Sequence, residues 1–467
     1  MSTLGIDLGT GSVKAAVVDA DGTVLTRAGR TYAVESPQPG WAETDPDAWL
    51  AAALEVVERA CDGQAPDAVG FSGQMHGVVV TDADLRPLRP AIVWADARSV
   101  EQARALTRDL TQHELSRLGS PAVTGFAATT LAWLLANEAD VMARAAHVLQ
   151  PKDWLRGRLG GGVATDPSDA SGTLMYDVVS GGWSGRATDW LGIDPALLPP
   201  VHASTDREGT IRVGSAEWPC VVGGADTACA LAGLGLRPGD GFLAVGSGSQ
   251  VVRVMDDPGL DLTLRTHTFA TAGAIGAGWY RIGAVQSAGL SLTAALAWFG
   301  ASADEAAAAL VGGVRADDPL FVPYLAGERT PFMDPELRGS WHGLTLATSR
   351  SAMLRSILEG VAQAVSLGVE AVQESGAAMP EVVPLVGGGT HDPAFRQLLA
   401  DTSGLALAVT EAPDSAVVGA ALLAGGLAGN PRPPARTSIV TPDPTAMAML
   451  GARRARMVDL ATTREGS

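Results

Sequence analysis

Two stretches more than two hundred residues apart follow one pattern: "LGIDLGTGSVKAAVV" near the start and "FLAVGSGSQVVRVM" at Phe242–Met255. Each reads as an apolar strand, a G-(S/T)-G-S turn and a second strand. A unit repeated at this separation predicts two halves of similar fold; two unrelated hairpins that share turn chemistry are the alternative. The Gly- and Pro-punctuated stretch "GLRPGDG", Gly235–Gly241, falls between the halves, and Pro238–Gly239 is a natural hinge. The expected division is residues 1–237, residues 238–430 and a C-terminal tail at 431–467.

Other segments support a mixed architecture. "TDPD", Thr44–Asp47, is a helix start with proline in the first turn. Trp49, Leu50, Ala53, Leu54 and Val57 then fall on one helical face. Strands are expected at Ala68–Phe71 and Val78–Thr81, and a long helix over Ser349–Glu374 with a stripe of Leu354, Ile357, Leu358, Val361, Val365 and Val372. Strands alternating with helices make this an α/β protein.

The formal net charge of -18 argues against nucleic acid and anionic membranes, since both need a basic surface. A phosphate-bearing ligand would then depend on backbone donors, a few cations or a metal. Cys61, Cys220 and Cys229 form no C-x-x-C pair and read as reduced thiols, which points to the cytoplasm. "MSTLGIDLGT" carries no basic-then-apolar leader, and the apolar run Ala416–Gly429 is too short and Gly-rich to span a bilayer.

Four motifs carry chemistry. In "DLGTGSVK", the turn residues Thr10, Gly11 and Ser12 offer clustered N–H and O–H donors for phosphate, Lys14 adds charge, and Asp7 is placed to hold a metal. The spacing is not that of a P-loop, and an ordinary hairpin is the alternative. In "VGGGTHDPAFRQLL", a strand runs into Gly387, Gly388 and Gly389 before a helix capped by Asp392–Pro393, an arrangement that admits a flat ligand or a phosphate. In "FSGQMHGVVV", Gln74, Met75 and His76 break away after a strand, where α/β sheets bind small ligands. In "VVGGADTACALAG", a lone Asp226 stands among small neighbours, as a helix N-cap or as a general base.

Together and in this order, the motifs resemble the FGGY family of carbohydrate kinases. The resemblance runs from Leu4 to about Gly425 and includes "PGWAETDPDAW", "AIVWADARS", "PKDWLRGRLGG", "ATDPSDASGTLMYDV" and "YLAGERTPFMDPELRG". It implies a two-domain actin-like (RNase H-like) ATPase fold with the active site in the interdomain cleft. It also implies ATP and Mg2+ as cofactors, and a small sugar as substrate. Asp226 matches the catalytic base. Met75 and His76 match the sugar-contacting pair, beside Gln74. Asp7, Thr10 and Gly11 match the first phosphate hairpin, Ser247 and Gly248 the second, and Gly387–Gly389 the adenine loop; Asp7 and Asp226 are the expected magnesium ligands. The chain departs from the commonest family pattern at Thr227, at "ATTLAW" (Ala128–Trp133) and at Gly246-Ser247-Gly248-Ser249. These positions bear on which sugar is accepted.

The expectation is therefore an ATP-dependent kinase acting on D-xylulose at O5, in the cytoplasm, with a homodimer left open. D-ribulose, L-fuculose, gluconate and glycerol are the alternative substrates. A chaperone-like or filament-forming ATPase and a sugar sensor without catalysis are the rival classes.

Overall fold

The computed structural model describes residues 2–412, 414–426 and 436–463. Its first half is built on a seven-stranded sheet. β1 (Ser2–Leu8), β2 (Ser12–Asp19) and β3 (Val24–Thr31) form an antiparallel meander. β4 (Ala68–Gly73) adds in parallel to β1 after the crossover helix α1 (Pro46–Ala60). β5 (Arg207–Val213), β6 (Ala216–Val221) and the short β7 (Gly224–Ala225) complete the sheet, with β6 and β7 parallel to β4.

The second half repeats this order. β8 (Gly241–Val245) and β9 (Ser249–Met255) form the predicted second hairpin. β10 (His267–Ala270) and β11 (Trp279–Val285) extend it antiparallel. β12 (Val382–Val386) and β13 (Ala406–Thr410) join β8 in parallel, and β14 (Arg436–Val440) closes the edge antiparallel. In each half a meander is followed by parallel strands, so the two-domain actin-like α/β architecture is present.

Both faces of the first sheet are covered, which is why β1 reads as a nearly continuous apolar run instead of an alternating one. Leu4, Ile6, Val13 and Val17 pack with Trp49, Val56 and Val57 of α1. Ala16 and Val18 pack on the other face with Val417 and Ala421 of α8 (Ser415–Ala424). α8 comes late in the chain yet lies on the first sheet, beside α4 (Asp226–Leu234). Its approach depends on missing side chains. A Cβ on Gly5 would stand 2.0 Å from the Val417 carbonyl oxygen, one on Gly70 1.9 Å from that of Ala420, and one on Gly419 1.8 Å from that of Cys229.

In the second half α6 (Arg350–Glu374), capped by Ser349, forms the core with the expected stripe. It is long and apolar enough to cross a membrane, but it is buried inside this half.

The segment expected to be a tail is instead structural. Residues 436–440 form β14, and α9 (Pro444–Thr462) packs Leu450 and Met457 inward. Arg453 of α9 holds the buried Glu359 of α6 through two bonds of 2.6 and 2.5 Å, and also reaches the carbonyls of Ala316, Asp318 and Pro319. A long-range ion pair of this kind leaves no local pattern, so the sequence reading missed it. The 237/238 boundary falls between α4 and β8, and the 430/431 boundary lies outside the described residues.

The α4–α8 contact admits no added atom. Gly419→Ala is expected to destabilise the protein by about 1–3 kcal/mol or more, the cost of overpacking against backbone. Urea unfolding of the variant checks this, and an unchanged midpoint would contradict the packing.

Candidate active site

The parallel strands bring the expected residues to one edge. Asp7 pairs with Ser72 and Ser72 with Gly224, so β1, β4 and β7 end side by side. Just past those ends lie the first hairpin turn, the segment Gln74–His76, and Asp226 at the start of α4. In the second half β8 and β12 pair through Ala244 and Val386, which sets Ser247–Gly248 beside Gly387. A Cβ on Gly387 (φ 103°) would strike the Val245 carbonyl oxygen at 2.4 Å, so the glycine loop is seated on the second hairpin. These are the carboxyl ends of parallel strands, where open α/β sheets place ligands.

A cavity of about 510 Å³ opens between the halves. Thr10, Met75, His76, Asp226, Ser247, Gly248 and Gly387 all line it. Asp7, Gln74, Gly11, Ser12, Gly388 and Gly389 do not. Asp7 accepts a hydrogen bond from Ser72 Oγ at 2.8 Å. The Gln74 amide is buried with neither polar atom partnered. Ser12 closes the hairpin by accepting the Gly9 N–H at 2.9 Å, and the Tyr32 hydroxyl donates to the carbonyls of Gly9 and Ser12. Lys14 departs from expectation: strand alternation turns its ammonium toward Asp414, 2.9 Å away, an acceptor that also pairs with Arg27. It is a link between the first hairpin and the residue preceding α8.

Asp226 is the first residue of its helix and not the cap. Ala225 occupies the cap position, and Asp226 Oδ1 accepts from the N–H of Thr227 at 2.5 Å and its hydroxyl at 3.2 Å. Burial, reinforced by the negative charge of Asp7, pushes the Asp226 carboxyl up to about 7. Burial raises Asp7 as well. The backbone before Asp226 is tied to a buried ionic cluster. Ser168 Oγ accepts the Ala225 N–H at 2.9 Å and donates to Asp166 at 2.5 Å. Asp166 also accepts from Ser204 Oγ at 2.8 Å and pairs with Lys152 at 3.2 Å.

Met75 and His76 are held as firmly. Tyr280 donates to the Met75 sulfur at 3.6 Å. His76 adopts φ 73°, a left-handed conformation rare outside glycine. Its ring stacks on Phe126 with centroids 3.8 Å apart, and its Nδ1 lies 2.5 Å from the Gly172 carbonyl oxygen. A carbonyl only accepts, so Nδ1 carries the hydrogen and Nε2 keeps a free lone pair. Burial pushes the imidazole down to about 3.

Three further cavity residues escaped the sequence reading. His267 stacks near Phe126 and Phe269. Trp94 donates from its indole to Thr10 Oγ1 at 2.7 Å. Arg329 lies within "YLAGERTPF", where family resemblance was the only signal. The cluster around Lys152 was equally silent, because its charges lie on separate elements.

Residues 2–233 match the N-terminal domain and residues 256–427 the C-terminal domain of the FGGY family of carbohydrate kinases. The chain is 33% identical to the xylulose kinase of Lactococcus lactis over 424 residues, 85% of this chain and 82% of the relative. It is also 33% identical to the xylulose kinase of Escherichia coli over 441 residues, 92% and 90% of the two chains. The crystal structure of a xyloylose kinase from Brucella ovis superposes with a TM-score of 0.91 at 30% identity, covering 98% of each chain.

Two titrations follow from the geometry. The His76 ring is expected to stay neutral between pH 5 and 8, so its imidazole NMR signals, assigned by loss in His76→Gln, should not move; a shift would refute the buried, Gly172-bonded ring. For Asp226, a folded pKa raised to about 7 above the ordinary carboxylate value means that the folded protein binds the proton more tightly. Its stability contribution is complete below about pH 4 and is lost as pH rises through about 7. Asp226→Asn removes that loss. Its melting temperature in metal- and nucleotide-free buffer should gain on the parent's over this window and hold the gain above it. A pH-independent difference would disprove the coupling.

Proposed function

We infer that this chain, which belongs to the FGGY family of carbohydrate kinases, transfers the terminal phosphoryl group of ATP to O5 of D-xylulose. The observation that carries the reading is one cavity, lined by both phosphate hairpins, by Met75–His76 and by a carboxyl group raised to about 7. A sugar hydroxyl is a poor nucleophile at neutral pH, and a base with a pKa near the working pH is best matched to removing its proton. Asp226 takes the proton from O5 as the new O–P bond forms. The bond between the γ-phosphorus and the bridging oxygen breaks, and ADP leaves with that oxygen. His76 Nε2 accepts a hydrogen bond from a sugar hydroxyl. The N–H groups of the two hairpin turns, with Thr10 and Ser247, orient the phosphates, and Gly387–Gly389 border the adenine.

The site suits magnesium. The charge of Asp7 raises the cost of ionising Asp226, which a divalent cation would relieve. Among the described residues no group of three or more His, Cys, Asp or Glu could hold a metal, and magnesium typically takes only one or two carboxylates, with water and substrate phosphates as its other ligands. Asp7 and Asp226 would hold it, and it would supply charge neutralisation on the phosphates. Closure of the halves about Pro238–Gly239 would exclude water as a competing acceptor. The cytoplasm and a homodimer belong to the same reading; sedimentation tests the second.

The substrate rests on the two xylulose kinases above and on the sugar-side residues. A coupled ADP assay against D-xylulose, D-ribulose, L-fuculose, gluconate and glycerol decides it: kcat/KM should be highest for D-xylulose. ADP release indifferent to every sugar would favour a non-sugar ATPase instead.

Asp226→Asn keeps the shape and removes the base. Turnover should fall by about 10²–10⁴-fold with sugar binding retained. Because the base must be ionised, kcat/KM of the parent should rise with pH to a plateau above about 7. Turnover of the variant within a few-fold of the parent would remove Asp226 from the chemistry.

A further inference from the structure

Arg329 is a cation that faces the cleft. It lies in the cavity wall, and among the described residues its guanidinium makes no ion pair and no hydrogen bond. It rests over the Trp94 ring, 5.6 Å from the centroid. The backbone on either side is clamped. Glu328, buried, accepts the N–H groups of Gln286 at 2.6 Å, Ser287 at 3.1 Å and Arg329 itself at 2.8 Å. Thr330 Oγ1 accepts from the Ala284 N–H at 3.1 Å and donates to the Arg265 carbonyl at 2.9 Å. A charged side chain on so fixed a base, left unpaired in a ligand cavity, is costly unless a ligand uses it.

The two imidazoles of that cavity are acceptors. His76 presents a bare Nε2. The Ser120 hydroxyl donates to the Pro121 carbonyl at 3.0 Å and so accepts from His267 Nδ1 at 2.6 Å, which leaves His267 Nε2 buried, lone-paired and without partner. The positive charge of Arg329 acts on both rings, whereas the charge that acts on Asp226 is that of Asp7. Arg329 shares one cavity with both imidazoles and with Asp226, and Trp94, over which it rests, reaches Thr10 of the first hairpin.

Chemistry states what is needed there. A 2-ketopentose closes its furanose ring through O5, so a molecule phosphorylated at O5 must bind as the open-chain ketone. Its C2 carbonyl oxygen only accepts, and neither imidazole nitrogen can donate to it. We propose that Arg329 is a specificity residue whose guanidinium donates to the C2 carbonyl oxygen of the open-chain ketose, while O5 lies at Asp226. The inference rests on the D-xylulose reading above.

The test compares the full-length parent with Arg329→Gln and Arg329→Lys, using Mg-ATP with D-xylulose and with the pentitols xylitol and D-arabinitol, which carry a hydroxyl in place of the carbonyl. Arg329→Gln should lower kcat/KM for D-xylulose by about 10–100-fold, the range for a lost charged hydrogen bond, mainly through KM. Its KM for ATP should stay within about twofold and its kcat/KM for the pentitols should fall far less, so that the ketose preference collapses. Arg329→Lys should recover part of the preference. Melting temperatures close to the parent's are expected, since among the described residues the guanidinium makes no hydrogen bond and no ion pair. Equal losses on ketose and pentitols, or a fall in kcat with both KM values unchanged, would overturn the assignment and move the guanidinium to the transferred phosphoryl group. Arg329→Gln too unstable to assay, with Arg329→Lys stable and fully ketose-selective, would make the residue structural and overturn it as well. A parent inactive on D-xylulose would overturn the substrate reading together with the carbonyl assignment.

Discussion

The ammonium of Lys152, fully buried, is the point on which the first half turns. It lies 2.7 Å from Asp153, 3.2 Å from Asp166 and 3.2 Å from Asp169, while Asp153 also pairs with Arg156 at 2.9 Å. Burial alone would discharge the lysine; the three carboxylates more than offset it. Two cations then face three carboxylates, and burial drives Asp169 well above the ordinary range, toward its neutral form. Removing one partner from such a cluster is costly because the rest stay buried and unpaired.

The cluster does more than hold itself together. Lys152 and Asp153 belong to the helix at Pro151–Arg158, and Asp166 and Asp169 lie in the next segment, with Ser168 between them. A Cβ on Gly73 would stand 2.9 Å from the Lys152 Cβ, so the end of β4 rests on the lysine stem. Through Asp166 and Ser168 the same charges reach the Ala225 N–H, immediately before Asp226. The carboxylate proposed as base thus hangs from a rigid polar core, while its own side chain sits in a cavity that raises its pKa. The two environments are separated by one peptide unit.

The halves are joined as well as duplicated. α8 follows β13 of the second sheet in the chain but covers β1 and β4 of the first, and the backbone contacts at Gly5, Gly70, Gly233 and Gly419 let it approach without a side-chain layer. Lys14–Asp414 adds an ion pair at the same junction. It is a half-exposed pair, worth little by itself, so the backbone packing carries the junction.

What was legible in the sequence was local. Both hairpins, the helix that Ser349 caps, and the Asp392–Pro393 helix start are encoded within a few residues, by turn glycines, cap side chains and periodic apolar positions, and each forms where expected. Family likeness of whole motifs extended that to the fold and to the kinase class. The tertiary structure decided the rest: that Lys14 faces Asp414, that residues 436–463 build a strand and a helix of the second half, that Asp226 follows its cap instead of being it, and that Arg329 stays unpaired while Arg453 does not. Each depends on which charges and carbonyls meet across hundreds of residues. The free energy of a buried charge is set by partners a few ångströms away in space, and no spacing along the chain records them.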